Sequence, residues 1–224
     1  MEIRKKATFV EIHMYMKMKS RLGCIMLSLG FVFILSATGA SKAQKSYRDY
    51  PEWEMLPRAV DFEDEGYQKA YQRLVDEGEA GYDGLLAIVR ECEDTQLAIR
   101  ALSILRASNG DKRNVVAGLK EVLAERLPTA TGGEGWLMTS IAEALVAMGN
   151  ESDMEAVVPM LYHPDLRVRA IGARCIGKRG GRQFIEILEQ AGSRDSISLV
   201  RDEIDKAISD IEHRMAAQDA GEAP

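Results

Sequence analysis

The chain resembles itself at an offset of about thirty residues, and this restricts its fold more than any other feature of the sequence. Laying 137–149 (LMTSIAEALVAMG) over 168–180 (VRAIGARCIGKRG), an offset of 31, sets Leu137 on Val168, Ala142 on Ala173, Ala144 on Cys175, Leu145 on Ile176 and Gly149 on Gly180. An offset of 32 then places Val200-Arg201 on Val168-Arg169 and Ala207-Ile208 on Cys175-Ile176. Upstream, Ile99-Arg100-Ala101-Leu102 lines up with Val168-Arg169-Ala170-Ile171. A repeat of this length is a helix–turn–helix unit. One such hairpin has an apolar face it cannot bury alone, so the units must stack on one another.

Splitting each unit into a first helix A and a second helix B gives four pairs: 82–92 with 95–108, 112–126 with 134–149, 152–162 with 165–179, and 182–191 with 196–215. Breakers fall where these helices should stop, at Asn109-Gly110, Gly132-Gly133, Gly149-Asn150, Pro164, Gly180-Gly181 and Gly192. Asp111, Asp165 and Asp195 stand where a side-chain oxygen can accept the free N–H groups of a helix start. One extra helix, about Asp64 to Asp76, carries Tyr67, Ala70, Tyr71 and Leu74 at helical spacing. Ahead of it, 44–62 reads as an irregular linker punctuated by Tyr47, Tyr50, Pro51, Trp53 and Pro57, with aromatics available to dock on the first helices. The expected fold class is all-α: an α-solenoid of about four helix pairs over 63–216, that extra helix included, followed by a disordered tail at 217–224. An aromatic content of only 6% and plentiful Ala, Leu, Glu and Arg agree with it. Gly172 and Gly177 inside a helix cost about 1 kcal/mol each against Ala. They mark either a close approach of neighbouring helices or a frayed helix.

The first 43 residues read as a signal peptide. Lys17, Lys19 and Arg21 precede an uncharged run from Leu22 to Leu35, shorter than a membrane span, and small residues follow from Ala37 to Ala43. Cleavage after Ala40 or Ala43 fits, and Met16 or Met18 is the expected start of translation. The other reading of the run is an uncleaved amino-terminal anchor; either places the body outside the cytoplasm, periplasmic or secreted. Cys24 sits at the near end of the run rather than the far end, which argues against a lipoprotein. Beyond the leader the net charge falls from −6 to −11, a poor match for nucleic acid, whose binding rests on neutralised phosphates. Cys92 and Cys175 fall two helix pairs apart, too far for a disulfide, and are expected as buried free thiols. His163 and His213 have no second ligand at metal-binding spacing, so no metal and no cofactor is expected.

The stretch 144–181 (ALVAMGNESDMEAVVPMLYHPDLRVRAIGARCIGKRGG) is similar to the HEAT-repeat superfamily, in the short form also found in phycobilisome-lyase-type proteins. Three local features carry the resemblance: the ALxxxG ending at Ala144–Gly149, the apolar A helix through Val157, Val158, Met160 and Leu161, and the B-helix opening His163-Pro164-Asp165-Leu166-Arg167-Val168-Arg169. The resemblance implies that the Arg of the Val-Arg pair braces the turn against the next repeat, a structural role for Arg169 and Arg201. It implies as well that the B helices line a concave face. The pattern departs at Leu137-Met138, where the Arg is missing, and in the first unit, where helix lengths drift. The lyase activity of some relatives does not carry over: no residue transfers it, and an exported, bacterial-type chain would not meet a cytoplasmic phycobiliprotein.

Arg167, Arg169, Arg174, Lys178, Arg179 and Arg182 place six cations in sixteen residues with no acid between them. Arg167, Arg174 and Lys178 share one helix face and form the candidate partner-binding patch, recognising an acidic protein segment or an anionic glycan. The alternative is a solvated face partly paired with Asp202, Glu203 and Asp205. Trp136 reads as a staple at the start of its helix, and His163, beside Tyr162, as a partner of its helix's carboxyl end. Ile197, Val200, Ile204, Ile208, Ile211 and Met215 form a stripe that seals the end of the stack or serves a homodimer. No nucleophile–base pair, metal cluster or phosphate-binding loop stands out. The expected function is a non-catalytic protein-binding scaffold or adaptor of the cell envelope. Beside it stand a structural subunit of an envelope assembly, an accessory subunit of an exported enzyme and, last, an enzyme using a carboxylate pair. On the patch reading, reversing Arg174 and Lys178 to Glu abolishes partner binding.

Overall fold

A computed structural model describes residues 46–56 and 65–221 of the chain, so the signal peptide expected at 1–43 lies outside the described residues. Every regular element among those residues is helical. The α-helices are α1 (Pro51–Met55), α2 (Glu65–Glu77), α3 (Tyr82–Glu91), α4 (Thr95–Ala107), α5 (Arg113–Arg126), α6 (Gly133–Met148), α7 (Leu166–Arg179), α8 (Ile185–Arg194) and α9 (Ser198–Asp219). A long 3-10 helix, Glu151–Tyr162, stands between α6 and α7.

Local chemistry sets the helix ends. Asp94 Oδ1 accepts the N–H groups of Gln96 (2.9 Å) and Leu97 (3.2 Å) and starts α4. Asp165 accepts the N–H of Arg167 (2.8 Å) and starts α7 in the same way. Matching these two caps pairs Leu97 with Val168, which corrects the expected alignment of Ile99 with Val168 by two residues. Asp111 and Asp195 accept the N–H groups of Arg113 (3.0 Å) and Ile197 (2.9 Å) from the turns ahead of α5 and α9.

The segment 152–162 was expected as an A helix of ordinary pitch, and it winds more tightly. Pro159 has no N–H to donate, and its ring would strike the carbonyl four residues back in an α-helix. The buried Met154, Val157 and Met160 recur every third residue, which is the 3-10 period and lines one face. Asn150 and Asp153 close its start with a capping box.

The helices pack as two rows. The A row runs α3, α5, the 3-10 helix and α8; the B row runs α4, α6, α7 and α9. Each A element also touches its own B helix, and one continuous core lies between the rows. Gly172 and Gly177 mark close approaches: an added Cβ would stand 2.8 Å from Met160 Cβ and 2.6 Å from Ala207 Cα. The expected irregular linker is partly helical. A 3-10 turn at Tyr47–Asp49 and α1 pack on α3, while α2 packs on α4, so this part of the chain occupies the place of a shortened pair ahead of the first. Tyr47 and Trp53 meet edge to face at 4.8 Å and lean on the core. At the other end α9 continues to Asp219, past the expected start of a disordered tail at 217. Val200, Ile204, Ala207 and Ile211 of α9 are buried against α7 and α8.

Cys92 and Cys175 are free and buried. Burial, reinforced by Glu143, pushes the Cys175 thiol up to about 12. Ionising it favours the unfolded chain, where a thiol titrates near ~8.5, so its effect on stability is nil below that value and grows unfavourable as pH rises toward 12. Site-resolved alkylation should therefore leave both thiols unmodified in the folded protein at pH 8 and modify both in denaturant.

Candidate functional site

The cations of α7 divide into those spent inside the fold and those left at its surface. Arg169 is nearly buried and bridges two units: Nε and one terminal nitrogen reach the Asp195 carboxylate at 2.5 and 3.2 Å, and Nη1 donates to the carbonyls of His163 (2.9 Å) and Pro164 (3.0 Å). Arg201, at the equivalent place on α9, makes one side-chain hydrogen bond among the described residues, to the Asp195 carbonyl at 3.0 Å. Arg174 is bidentate to Glu203 of α9 at 2.6 and 3.1 Å. The expected patch of Arg167, Arg174 and Lys178 is therefore not an open cationic face. Glu203 neutralises its centre, Arg167 is shared with Asp165 (3.1 Å), and Lys178 alone of the three is exposed with no ion pair among the described residues.

Other cations close helix ends. Arg179 donates to the Gly149 carbonyl beyond α6 at 2.6 Å, and Arg214 to the carbonyls of Gly177, Lys178 and Gly180 at the end of α7. Arg126 donates to Val89 and Arg90 at the end of α3, and Lys112 Nζ to the Arg106 carbonyl at the end of α4. Sequence reasoning missed Arg126 and Arg214, whose targets lie 34 to 37 residues away. The signal available was a cation near the end of a helix one unit downstream.

An open groove of about 720 Å³ lies by the B-to-A turns and is lined by Arg106, Lys112, Arg113 and Lys120 among others. Its charge is largely spent: Arg113 pairs with Asp111, Lys120 with Asp153 at 2.8 Å, and Lys112 serves the α4 carbonyl end. Among the described residues no group of three or more His, Cys, Asp or Glu is arranged to hold a metal ion.

The opposite edge, where each A element turns into its B helix, is different. All five exposed large hydrophobic residues among those described lie on it: Trp136, Tyr162, Leu166, Ile197 and Leu199. Trp136 (55% exposed), Arg167 and Leu199 (54% exposed) follow one another by the repeat offsets of 31 and 32, so they hold the same position on α6, α7 and α9. Trp136 was expected to staple its own helix start; it stands outward, with the Arg167 guanidinium 5.6 Å from its ring centre. Three acids beside these residues are committed. Side-chain bonds from Arg167 and Arg169 hold the Asp165 and Asp195 carboxyls below the usual carboxylate range, and Glu134 pairs with Arg126 at 2.6 Å. His163 departs from the helix-end reading. It is buried, Nδ1 accepts the Asp165 N–H (3.1 Å), and Nε2 therefore carries the proton donated to the Ala130 carbonyl (3.1 Å).

Compared with known proteins, the chain matches no family model, no curated protein and no solved structure.

Two predictions follow from Arg169. Removing it strands a nearly buried carboxylate and two carbonyls, so Arg169→Ala should lower stability to denaturant by about 3 kcal/mol, against less than about 1 for Arg201→Ala. Because the Asp195 carboxyl is held low, its contribution is complete above the ordinary Asp value of ~3.9 and is lost as pH falls through the depressed one. Acid unfolding followed by circular dichroism should show a shallower pH dependence in Arg169→Ala.

Proposed function

We propose that this chain is a non-catalytic scaffold built as a short HEAT-like α-solenoid, and that it binds a partner protein along the edge of A-to-B turns. The two helix rows, the repeat offsets and the bracing of one turn against the next by Arg169 support the solenoid reading. The observation that carries the function is the confinement of every exposed large hydrophobic residue, among those described, to that one edge. Apolar side chains gathered on one surface mark interaction sites, and a Trp beside an Arg is the composition of binding hot spots.

The chemistry of the edge points to the class of partner. Glu134, Asp165 and Asp195 are paired internally, while Arg194 and Arg201 stand exposed beside the apolar residues. An apolar segment carrying carboxylates fits this surface, and a basic one does not. The leader read from the sequence supports export, and with it a role in the cell envelope. A structural subunit would be favoured by a broad apolar face on the terminal helix; the α9 stripe is instead largely spent on α7 and α8, which supports the adaptor reading.

The test compares partners recovered by cross-linking from the native envelope fraction with the wild-type chain and with Trp136→Ala/Leu199→Asp. Neither side chain is part of the core, so the variant should melt like the wild type while losing the partner at least tenfold. Undiminished recovery would remove the edge from the interaction. Arg174→Glu is unsuited to this purpose, because it sets a second acid against Glu203.

A further inference from the structure

The strap formed by residues 46–56 carries a buried acid. Glu52 is only 5% exposed, and its Oε2 has no hydrogen-bond partner. It enters the space left by two glycines at the start of α3: a Cβ on Gly84 would lie 2.1 Å from Oε2, and one on Gly81 would lie 3.6 Å from Oε1. The Glu77 carboxylate approaches the same Gly81 position to 3.4 Å, so two acids converge on one spot. A buried charge without a partner is costly, and a neighbouring like charge makes it costlier.

Its own backbone N–H gives the carboxyl some relief, and the side chains around the strap give none. Glu77 at the end of α2 and Asp83 in the first turn of α3 both act on Glu52 as like charges. Glu79, in the turn before α3, is turned to the Asp111 N–H at 2.6 Å. Glu91 of α3 accepts the Tyr47 N–H at 3.3 Å, and Asp49 accepts that of Ser46. Of the nearby cations, Arg48 is held on the Tyr47 hydroxyl (3.1 Å) and Arg90 on Glu121 (2.7 Å).

We propose that the strap docks on α3 with Glu52 protonated and releases when that carboxyl ionises, so that pH decides whether this end of the helix rows is covered. The strap is also held by apolar packing of Tyr47, Trp53, Met55 and the buried Leu56, and by the Tyr47 N–H to Glu91. Burial first, then Glu77 and Asp83, raise the docked carboxyl above its ordinary value. Docking is therefore strongest below the free-carboxyl value of ~4.3 and weakens up to tenfold per pH unit until the docked value is passed.

The chain has two tryptophans, so the full chain carrying Trp136→Phe reports on Trp53 alone. Raising the pH from 4.5 to 8 should shift Trp53 emission to the red and increase its quenching by acrylamide. Glu52→Gln, which keeps the shape and removes the charge, should hold the docked emission across the range. Gly84→Ala displaces the carboxyl and should give the released emission at every pH. Identical Trp53 signals at pH 4.5 and 8, or a shift of the same size in Glu52→Gln, would overturn the proposal.

Discussion

The carbonyl end of a helix is the constraint around which this molecule is arranged. The last turn of every helix leaves carbonyl groups without an internal donor, and in a row of closely packed helices they are partly shut off from water. Cations satisfy them here, and three of the four come from the following unit: Arg126 serves α3, Arg179 serves α6 and Arg214 serves α7. Lys112 does the same for α4 from the turn that leaves it. Each bond also sets how far one unit is displaced along the next, since the donor sits near the end of its own helix. Arg169 performs the equivalent task on the other edge, where it joins the turn before α7 to the turn before α9.

This use of cations explains why counting charges along α7 misplaces the site. Six basic residues in sixteen look like a patch when read linearly. In the fold, Arg169, Arg174 and Arg179 each have a target 26 to 30 residues away, and no local spacing announces such pairs. What remains outward is set by subtraction. The recurrent position held by Trp136, Arg167 and Leu199 was visible in the offsets of 31 and 32, but conveyed nothing until the turn edge was seen to expose it.

The helices themselves were far more legible, because apolar periodicity and breakers are local signals. Pair boundaries from 82 onward agree with the structure to within four residues. Two departures have physical causes. The 3-10 helix was signalled by Met154, Val157 and Met160 at intervals of three together with Pro159, and a search for spacings of three and four passes over a strict three. The start of α1 was signalled by Pro51 at the first helical position with Glu52 and Glu54 in the first turn, a pattern masked by the surrounding aromatics. The ionisation cost of Glu52 lay beyond reach, because it depends on two glycines of a different helix.

The spacing of the recurrent edge position also limits what can lie along it. Packed helices stand about 8–10 Å apart, so equivalent side chains on α6, α7 and α9 recur at that interval. A β-strand presents the same face every two residues, about 6.7 Å, and falls out of step after one unit. A polyproline-type helix repeats every three residues, about 9.3 Å, and stays in step across all three. On the proposed reading, an extended partner segment with an apolar residue at every third position would meet Trp136, Arg167 and Leu199 in turn. The carboxylates between would face Arg194 and Arg201. With Trp136 the one aromatic among these three recurrent positions, the register of such a segment is set at one end of the edge, and the later positions add length rather than new specificity.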